Sequence, residues 1–288
     1  MIPVYYSAEM VADSGAYSPS AGKPAPVVAS WRERGFPIEI IAPPALPAED
    51  LALAHDRGMV DDILAGRRDN GFSNRSPAVA SALPYTSGAM YTAAVRALED
   101  RRVAVAPCSG FHHAGYSTTQ GFCTFNGLMV AACLLHDRHD VRRVAILDFD
   151  EHYGDGTDDI LERLGIDWVD HYTAGEHGFS AADATRFLAR IPIILEGMAK
   201  RGSQLVLYQA GADPHIDDPL GGFLTTEQLY RRDRAVFESC RRLGLPVAWN
   251  LAGGYQMLEN LSGADEIRPV LDIHDNTMRA CCGVYELS

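Results

Sequence analysis

Residues 144–157 read Val144-Ala145-Ile146-Leu147-Asp148-Phe149-Asp150-Glu151-His152-Tyr153-Gly154-Asp155-Gly156-Thr157. Four apolar residues run straight into a chain of acids and a histidine. An apolar run this short, bounded by polar residues, reads as a strand buried on both faces. Three more such runs lie at residues 103–106, 205–208 and 246–249. Between them, residues 126–136, 181–201 and 225–243 carry apolar positions at a helical period. Residues 38–41 and 4–6 add two further strands. Buried strands alternating with helices predict an α/β fold. The expected architecture is a single three-layer domain over residues 1–288, its central, mostly parallel sheet covered by helices on both faces. No internal repeat or Gly/Ser-rich linker divides the chain. Residues 66–84, which include Asn70-Gly71-Phe72-Ser73-Asn74, are predicted to form a long surface loop that shapes an entrance.

In such a sheet, ligands bind beyond the carboxyl ends of the strands. Each polar cluster of interest begins where an apolar run stops. Ala106 leads toward Gly110-Phe111-His112-His113-Ala114, and Leu147 into Asp148. Tyr208 leads into Gln209-Ala210-Gly211-Ala212-Asp213, and Trp249 into Asn250-Leu251-Ala252-Gly253-Gly254-Tyr255. Four strand ends on one edge would assemble one site. In an extended segment Asp148, Asp150 and His152 project to one side and Glu151 to the other. Two carboxylates and an imidazole grouped after a buried strand are costly unless a ligand satisfies them, so a metal is expected here. Taken singly, each residue has a plainer role. Asp148 would cap a helix, Asp213 would sit in a turn before Pro214, Tyr255 would be a core tyrosine, and the histidine pair would be structural.

Composition narrows the partners. A hydrophobic fraction of 47% with 22% charged residues is that of an ordinary water-soluble domain with a sizeable core. The formal net charge of −13 argues against nucleic acid, which needs a basic face, and favours a cationic ligand weakly. No apolar stretch is long enough to span a bilayer, so no membrane partner is expected. The N-terminal residues lack the basic and apolar regions of a secretion signal. The six cysteines show no C-x-x-C spacing and read as reduced thiols, adjacent Cys281 and Cys282 being those to watch for oxidation. A cytoplasmic location is expected, and a homo-oligomer is left open.

Together, H-H-A, G-F-C-x-F-N, D-x-D-x-H-x-G-D-G-T, G-A-D and G-G-Y occur in an order that resembles the histone deacetylase and acetylpolyamine amidohydrolase family. The resemblance runs from Pro107 to Tyr255 and is faint before it, reduced to His55-Asp56 and Met59-Val60. It implies an arginase/deacetylase-like fold and a hydrolase removing a short acyl group from an acylated primary amine. The substrate would be an acetylpolyamine, acetyl-lysine or small acylamine, attacked by a metal-bound water. By the same resemblance Asp150, His152 and Asp213 would hold one Zn2+, with Fe2+ or Co2+ as alternatives, and a structural K+ would lie on carbonyls near Asp148. His112 and His113 would be the tandem histidines, oriented by Asp148 and Asp155, with His113 the proton carrier and Tyr255 the donor to the substrate carbonyl. Phe122, flanked by Gly121, would form one wall of the acyl tunnel, with Gly254 beside it and Phe179 as the facing aromatic. Asp69, Glu176 and Asp217 would lie at the rim. Two departures from the family pattern stand out: Tyr153 replaces a usual second histidine, and Pro107-Cys108-Ser109-Gly110 differs from the commoner approach to the pair.

Two other functions are weighed against this one. A binuclear ureohydrolase would want a bridging Asp-x-His-x-Asp run, and the position of its second carboxylate is Gly154. A non-catalytic metal sensor or interaction protein of the same fold would be expected to lack a proton carrier or the tyrosine. His112, His113 and Tyr255 are all present.

Overall fold

The computed structural model describes residues 1–286. The opening stretch forms strand β4, Val144–Asp148, buried along its whole length. Its side chains alternate: Ala145 and Leu147 enter the core on one face, Val144 and Ile146 the core on the other. The other described strands are β1 (Ile2–Tyr5), β2 (Ile38–Ile41), β3 (Val103–Ala106), β5 (Val169–Thr173), β6 (Val206–Gly211) and β7 (Val247–Ala252). All seven are parallel, in the order β2-β1-β3-β7-β6-β4-β5.

The helices are α1 (Pro24–Glu33), α2 (Ala48–Leu51), α3 (Arg57–Leu64), α4 (Pro77–Asp100), α5 (Gly127–Arg138), α6 (Asp155–Leu164), α7 (Ala184–Lys200), α8 (Thr226–Leu243) and α9 (Arg268–Tyr285). Trp31 of α1, Phe187 and Ile191 of α7, Phe237 of α8 and Val270 of α9 cover one face of the sheet. Met59 and Ile63 of α3, Met90 and Ala94 of α4, Leu128 of α5 and Ile160 of α6 cover the other. The result is the expected three-layer α/β domain.

The four strands whose ends carry the polar clusters, β3, β7, β6 and β4, are consecutive neighbours in the sheet. Their register lines up one residue from each: Ala106 opposite Asn250, Asn250 opposite Gln209, and Gln209 opposite Asp148, which in turn meets Thr173 of β5. One residue pair back along β4, the corresponding positions are apolar, Ile146 beside Leu207. The sheet therefore changes from core to polar floor across a single row.

Two expectations are corrected. Residues 66–84 are not one loop, because α4 starts at Pro77, its N-cap Ser76 accepting the Val79 N–H at 3.4 Å. Pro84 lies inside that helix and removes one backbone bond, a cost of about 3 kcal/mol. The burial of Ala89, Met90, Ala93, Ala94 and Ala97 against the sheet face outweighs it. The loop proper is the shorter stretch before Ser76. Cys281 and Cys282 are both buried in α9, and burial pushes the Cys282 thiol up to about 11, so this pair is shielded from oxidants rather than offered to them. Among the described residues, no helix is long and apolar enough to cross a membrane.

Candidate active site

The chain leaving β3 makes an irregular loop before α5, and this loop carries His112 and His113. Its far end is fastened from below. His55 donates from Nδ1 to the Gly115 carbonyl at 2.9 Å and accepts the Asn126 N–H on Nε2 at 2.8 Å. The Asp56 N–H adds a bond to the Tyr116 carbonyl at 2.8 Å, and Thr157 N–H reaches the His112 carbonyl at 3.1 Å. Thus the faint His55-Asp56 signal marks the clamp that sets the histidine loop.

Each histidine meets its expected carboxylate. His112 Nδ1 lies 2.7 Å from Asp148 Oδ2, and His113 Nδ1 lies 2.6 Å from Asp155 Oδ1. The two rings are 4.1 Å apart, centroid to centroid. Asp148 comes from the polar row of the sheet, where its Oδ1 also accepts the Asp150 N–H and the Gln209 amide, both at 3.1 Å. Asp155 opens α6, a position where a carboxylate is stabilised by the helix dipole. Burial works to lower the His112 pKa, but Asp148 and Asp150 overcome it and lift it to about 9. Burial and the neighbouring His112 charge together lower His113, against the pull of Asp155.

Asp150, His152 and Asp213 offer one ligand atom each, all within 4.8 Å of one another. His152 Nδ1 stands 3.2 Å from Asp150 Oδ1 and 3.0 Å from Asp213 Oδ2. Both carboxylates are buried, at 3% and 0% exposure. Burial raises the Asp213 carboxyl and the Asp150 charge raises it further. Asp150 is held below the usual range by His112 and His152 despite its own burial. Hydrogen bonds to the two carboxylates lift His152 to about 11, so the field at this point favours a cation. Two buried carboxylates and an imidazole converging this closely fit a divalent ion, with hard oxygen donors outnumbering nitrogen. Asp148 is not in this cluster: its oxygens face His112, Gln209 and the Asp150 amide.

Tyr255 reaches the same cleft, whose walls include His112, Gly121, Cys123, Asp150 and Gln209. Burial and the Asp213 and Asp150 charges push its phenol pKa up, which keeps it a hydrogen-bond donor. Its backbone N–H is pinned by Asp218 Oδ2 at 2.8 Å. Gly253 must lack a side chain, since a Cβ there would fall 2.2 Å from Asp213 Oδ1 and its φ is +48°. Gly254 turns the chain beneath Tyr255, packed against Val270 and Ala212. Under this turn lies Lys23, wholly buried, donating from Nζ to the Gly253 carbonyl. Burial lowers its pKa to about 8, while Asp213, Asp150 and Asp218 oppose the shift. Nothing in the loop-like Ala21-Gly22-Lys23-Pro24 sequence marks this lysine.

Phe122 lies against Tyr255, ring centroids 5.8 Å apart, in a left-handed conformation with φ of +62° that costs about 1–3 kcal/mol. Its neighbour Gly121 brings bare backbone onto His113, where a Cβ would stand 2.5 Å from Cδ2. Phe72, from the loop before α4, packs beside Phe122 with ring centroids 6.0 Å apart. Phe179 is half-buried in the chain beyond β5. Its ring packs on His177, Phe187 and Phe223, drawn into the apolar cluster under α7. Of the rim acids, Asp69 is paired with Arg75 at 2.6 Å, while Glu176 and Asp217 are exposed. Glu151 is half-buried beside Gly221, where burial raises its carboxyl to about 7.

Comparison with known proteins gives one answer at two levels. The family model for the histone deacetylase domain matches residues 25–173 and 173–267. An uncharacterised protein of Picosynechococcus sp. is 29% identical over 191 residues, 61% of this chain and 61% of that protein. The acetylpolyamine amidohydrolase of Mycoplana ramosa is 28% identical over 179 residues, 51% of this chain and 50% of that protein. The chain thus spans less than two thirds of either relative. In fold, the crystal structure of acetylpolyamine aminohydrolase from Burkholderia pseudomallei superposes over 99% of both chains with a TM-score of 0.73 at 19% identity.

Proposed function

The chain belongs to the histone deacetylase domain family, and we propose that it is a metal-dependent amidohydrolase removing a short acyl group from an acylated primary amine. The observation that carries this reading is two imidazoles, each held at Nδ1 by its own carboxylate, beside an Asp-His-Asp donor set. Asp150, His152 and Asp213 would hold the ion, zinc by default. When bound, such an ion polarises the acyl carbonyl and lowers the pKa of water toward ~7.

The chain's own residues do the rest. With Nδ1–H given to a carboxylate, each histidine turns Nε2 toward the cleft. His113, the imidazole held neutral, takes the proton from the attacking water and passes it to the departing amine. Tyr255 donates its hydroxyl proton in a hydrogen bond to the carbonyl oxygen as that oxygen gains charge. The strained Phe122 and the ring of Phe72 line the approach for an extended acyl chain. A net charge of −13 supports a small cationic amine over a nucleic-acid-bound substrate. A K+ on the carbonyls near Asp148 belongs to the same proposal. Six unpaired, buried thiols support a reducing, cytoplasmic setting.

The test is acetate or short-chain acid release by the zinc-loaded protein from a panel of acetylpolyamines, acylated lysines and small acylamines. Turnover that falls about 10²–10³-fold in Tyr255→Phe supports the reading. No release from any member, or wild-type turnover in Tyr255→Phe, refutes it.

A further inference from the structure

Beside the polar floor lies a third imidazole–carboxylate pair, which the proposed reaction does not use. Tyr153 donates its hydroxyl to Asp158 Oδ2 at 2.6 Å. His171 Nδ1 lies 2.7 Å from the other oxygen of the same carboxylate. The His171 side chain is only 4% exposed, and its Nε2 is buried without a hydrogen-bond partner among the described residues. An orphaned buried ring nitrogen is unusual enough to need a cause.

The sheet register shows where that nitrogen faces. Ile146 pairs with His171 and Asp148 with Thr173, so His171 and Asp148 share one face of the sheet on a diagonal. Gly154 passes between them. A Cβ on Gly154 would stand 2.7 Å from Asp148 Oδ2 and 3.2 Å from His171 Nε2. The two polar atoms therefore stand no more than about 6 Å apart beside the Gly154 backbone, a separation that one water can span. Among the described residues Asp148 Oδ1 accepts two donors, whereas Oδ2 accepts only His112, and a carboxylate has sites for about four.

We propose that His171 is a positioning residue for the His112–Asp148 pair, joined to Asp148 Oδ2 through one bridging water. His171 gives its Nδ1–H to Asp158 and accepts the water on Nε2; the water donates its other hydrogen to Asp148. Asp158 and Tyr153 fix the ring, and the ring through the water limits rotation of the carboxylate that orients His112. Tyr153, the residue that departs from the family pattern, thereby becomes the outer end of a chain reaching a catalytic histidine. This rests on the amidohydrolase reading for the role of His112. The plainer account is that the trio only ties the first turn of α6 to β5.

Side-chain isosteres separate the two. An Asn amide reaches as far as histidine Nδ1 and keeps the Asp158 bond; a Gln amide reaches as far as Nε2 and keeps the side facing Asp148. His171→Asn is expected to retain the wild-type unfolding temperature yet lose about tenfold in kcat with KM unchanged. The His112 Nδ1–H resonance, read by NMR on 15N-histidine-labelled protein, should shift in the same variant. His171→Gln, which keeps the side facing Asp148 but loses the Asp158 bond, should fall between His171→Asn and wild type in both kcat and the resonance. Tyr153→Phe, at a 39% exposed position where folding is not at risk, should move the resonance in the same direction and lower kcat about threefold. An unmoved resonance in both His171→Asn and Tyr153→Phe, or equal behaviour of the Asn and Gln variants, overturns the proposal. The resonance needs no substrate, so a panel without turnover counts against the hydrolase reading and leaves the NMR result to decide this one.

Discussion

The two histidine–carboxylate pairs are bonded almost identically, at 2.7 Å for His112–Asp148 and 2.6 Å for His113–Asp155, yet they sit in different surroundings. The first is sunk in the sheet, its side chains 5% and 0% exposed; the second lies at the start of a helix, 20% and 42% exposed. His112 is lifted to about 9 by Asp148 and Asp150 against its burial, whereas burial, reinforced by the His112 charge, lowers His113. Adjacent residues with matching partners thus acquire opposite proton affinities. The lesson is that a hydrogen bond to a carboxylate sets which tautomer an imidazole adopts, while the other charges nearby set which protonation state it keeps.

The most direct way to break this comparison is to remove the rings one at a time. His113→Ala is expected to lose about 10²–10⁴-fold in kcat as the mobile proton carrier. His112→Ala should lose about 10–100-fold, as a group that orients and stabilises. Steady-state rates of acid release measure both, and a larger loss in His112→Ala would reverse the assignment.

Acid should break both pairs together, through the clamp beneath them. His55 uses both nitrogens, one as donor and one as acceptor, and burial lowers its pKa to about 4. The unfolded chain binds a proton there below about 6.5 and the folded chain does not, so stability falls as pH drops from about 6.5 to 4. Urea unfolding across that window should show roughly 3 kcal/mol lost through this residue. His55→Gln, which does not titrate, should be less stable at pH 7 but show a shallower slope. An identical slope in the two proteins would show that another group governs acid sensitivity.

The finest discrimination comes from the carboxylates. Asp148→Asn turns an amide NH2 either onto the His112 donor or onto the Asp150 and Gln209 donors and should cost about 1–3 kcal/mol of stability along with activity. Asp155→Asn, half-exposed, should lower kcat with a stability change within about 0.5 kcal/mol. Equal stability losses in urea would mean that the surroundings of the two pairs differ less than their burial suggests.

Legibility followed burial on both faces. Strands β3, β4, β6 and β7 stand out as apolar runs because their side chains enter both cores, and the site residues follow directly from their ends. Strand β5, Val-Asp-His-Tyr-Thr, escapes that pattern: it is an edge strand, half-buried, with polar residues that serve α6. Pro84 reads as a breaker because the helical cost of proline is local, while the packing that overrides it comes from distant residues on the sheet. The contacts of Phe179 with Phe187 and Phe223 form only in the fold and carry no local signal. Lys23 is unmarked and His55 only faintly marked, since each bonds backbone groups, which no motif encodes.

The row Asn250, Gln209, Asp148 and Thr173 belongs to the hydrogen-bonded ladder of the central strands. Amides in such a ladder exchange with solvent only when the whole sheet opens, whereas loops held by turns open alone. The loop of Phe72 lies outside that ladder, tied at Gly71 to the Thr124 hydroxyl and the Phe122 N–H. Polar groups woven into a sheet in this way share its melting temperature, so thermal loss of the floor and global unfolding are expected as one cooperative event.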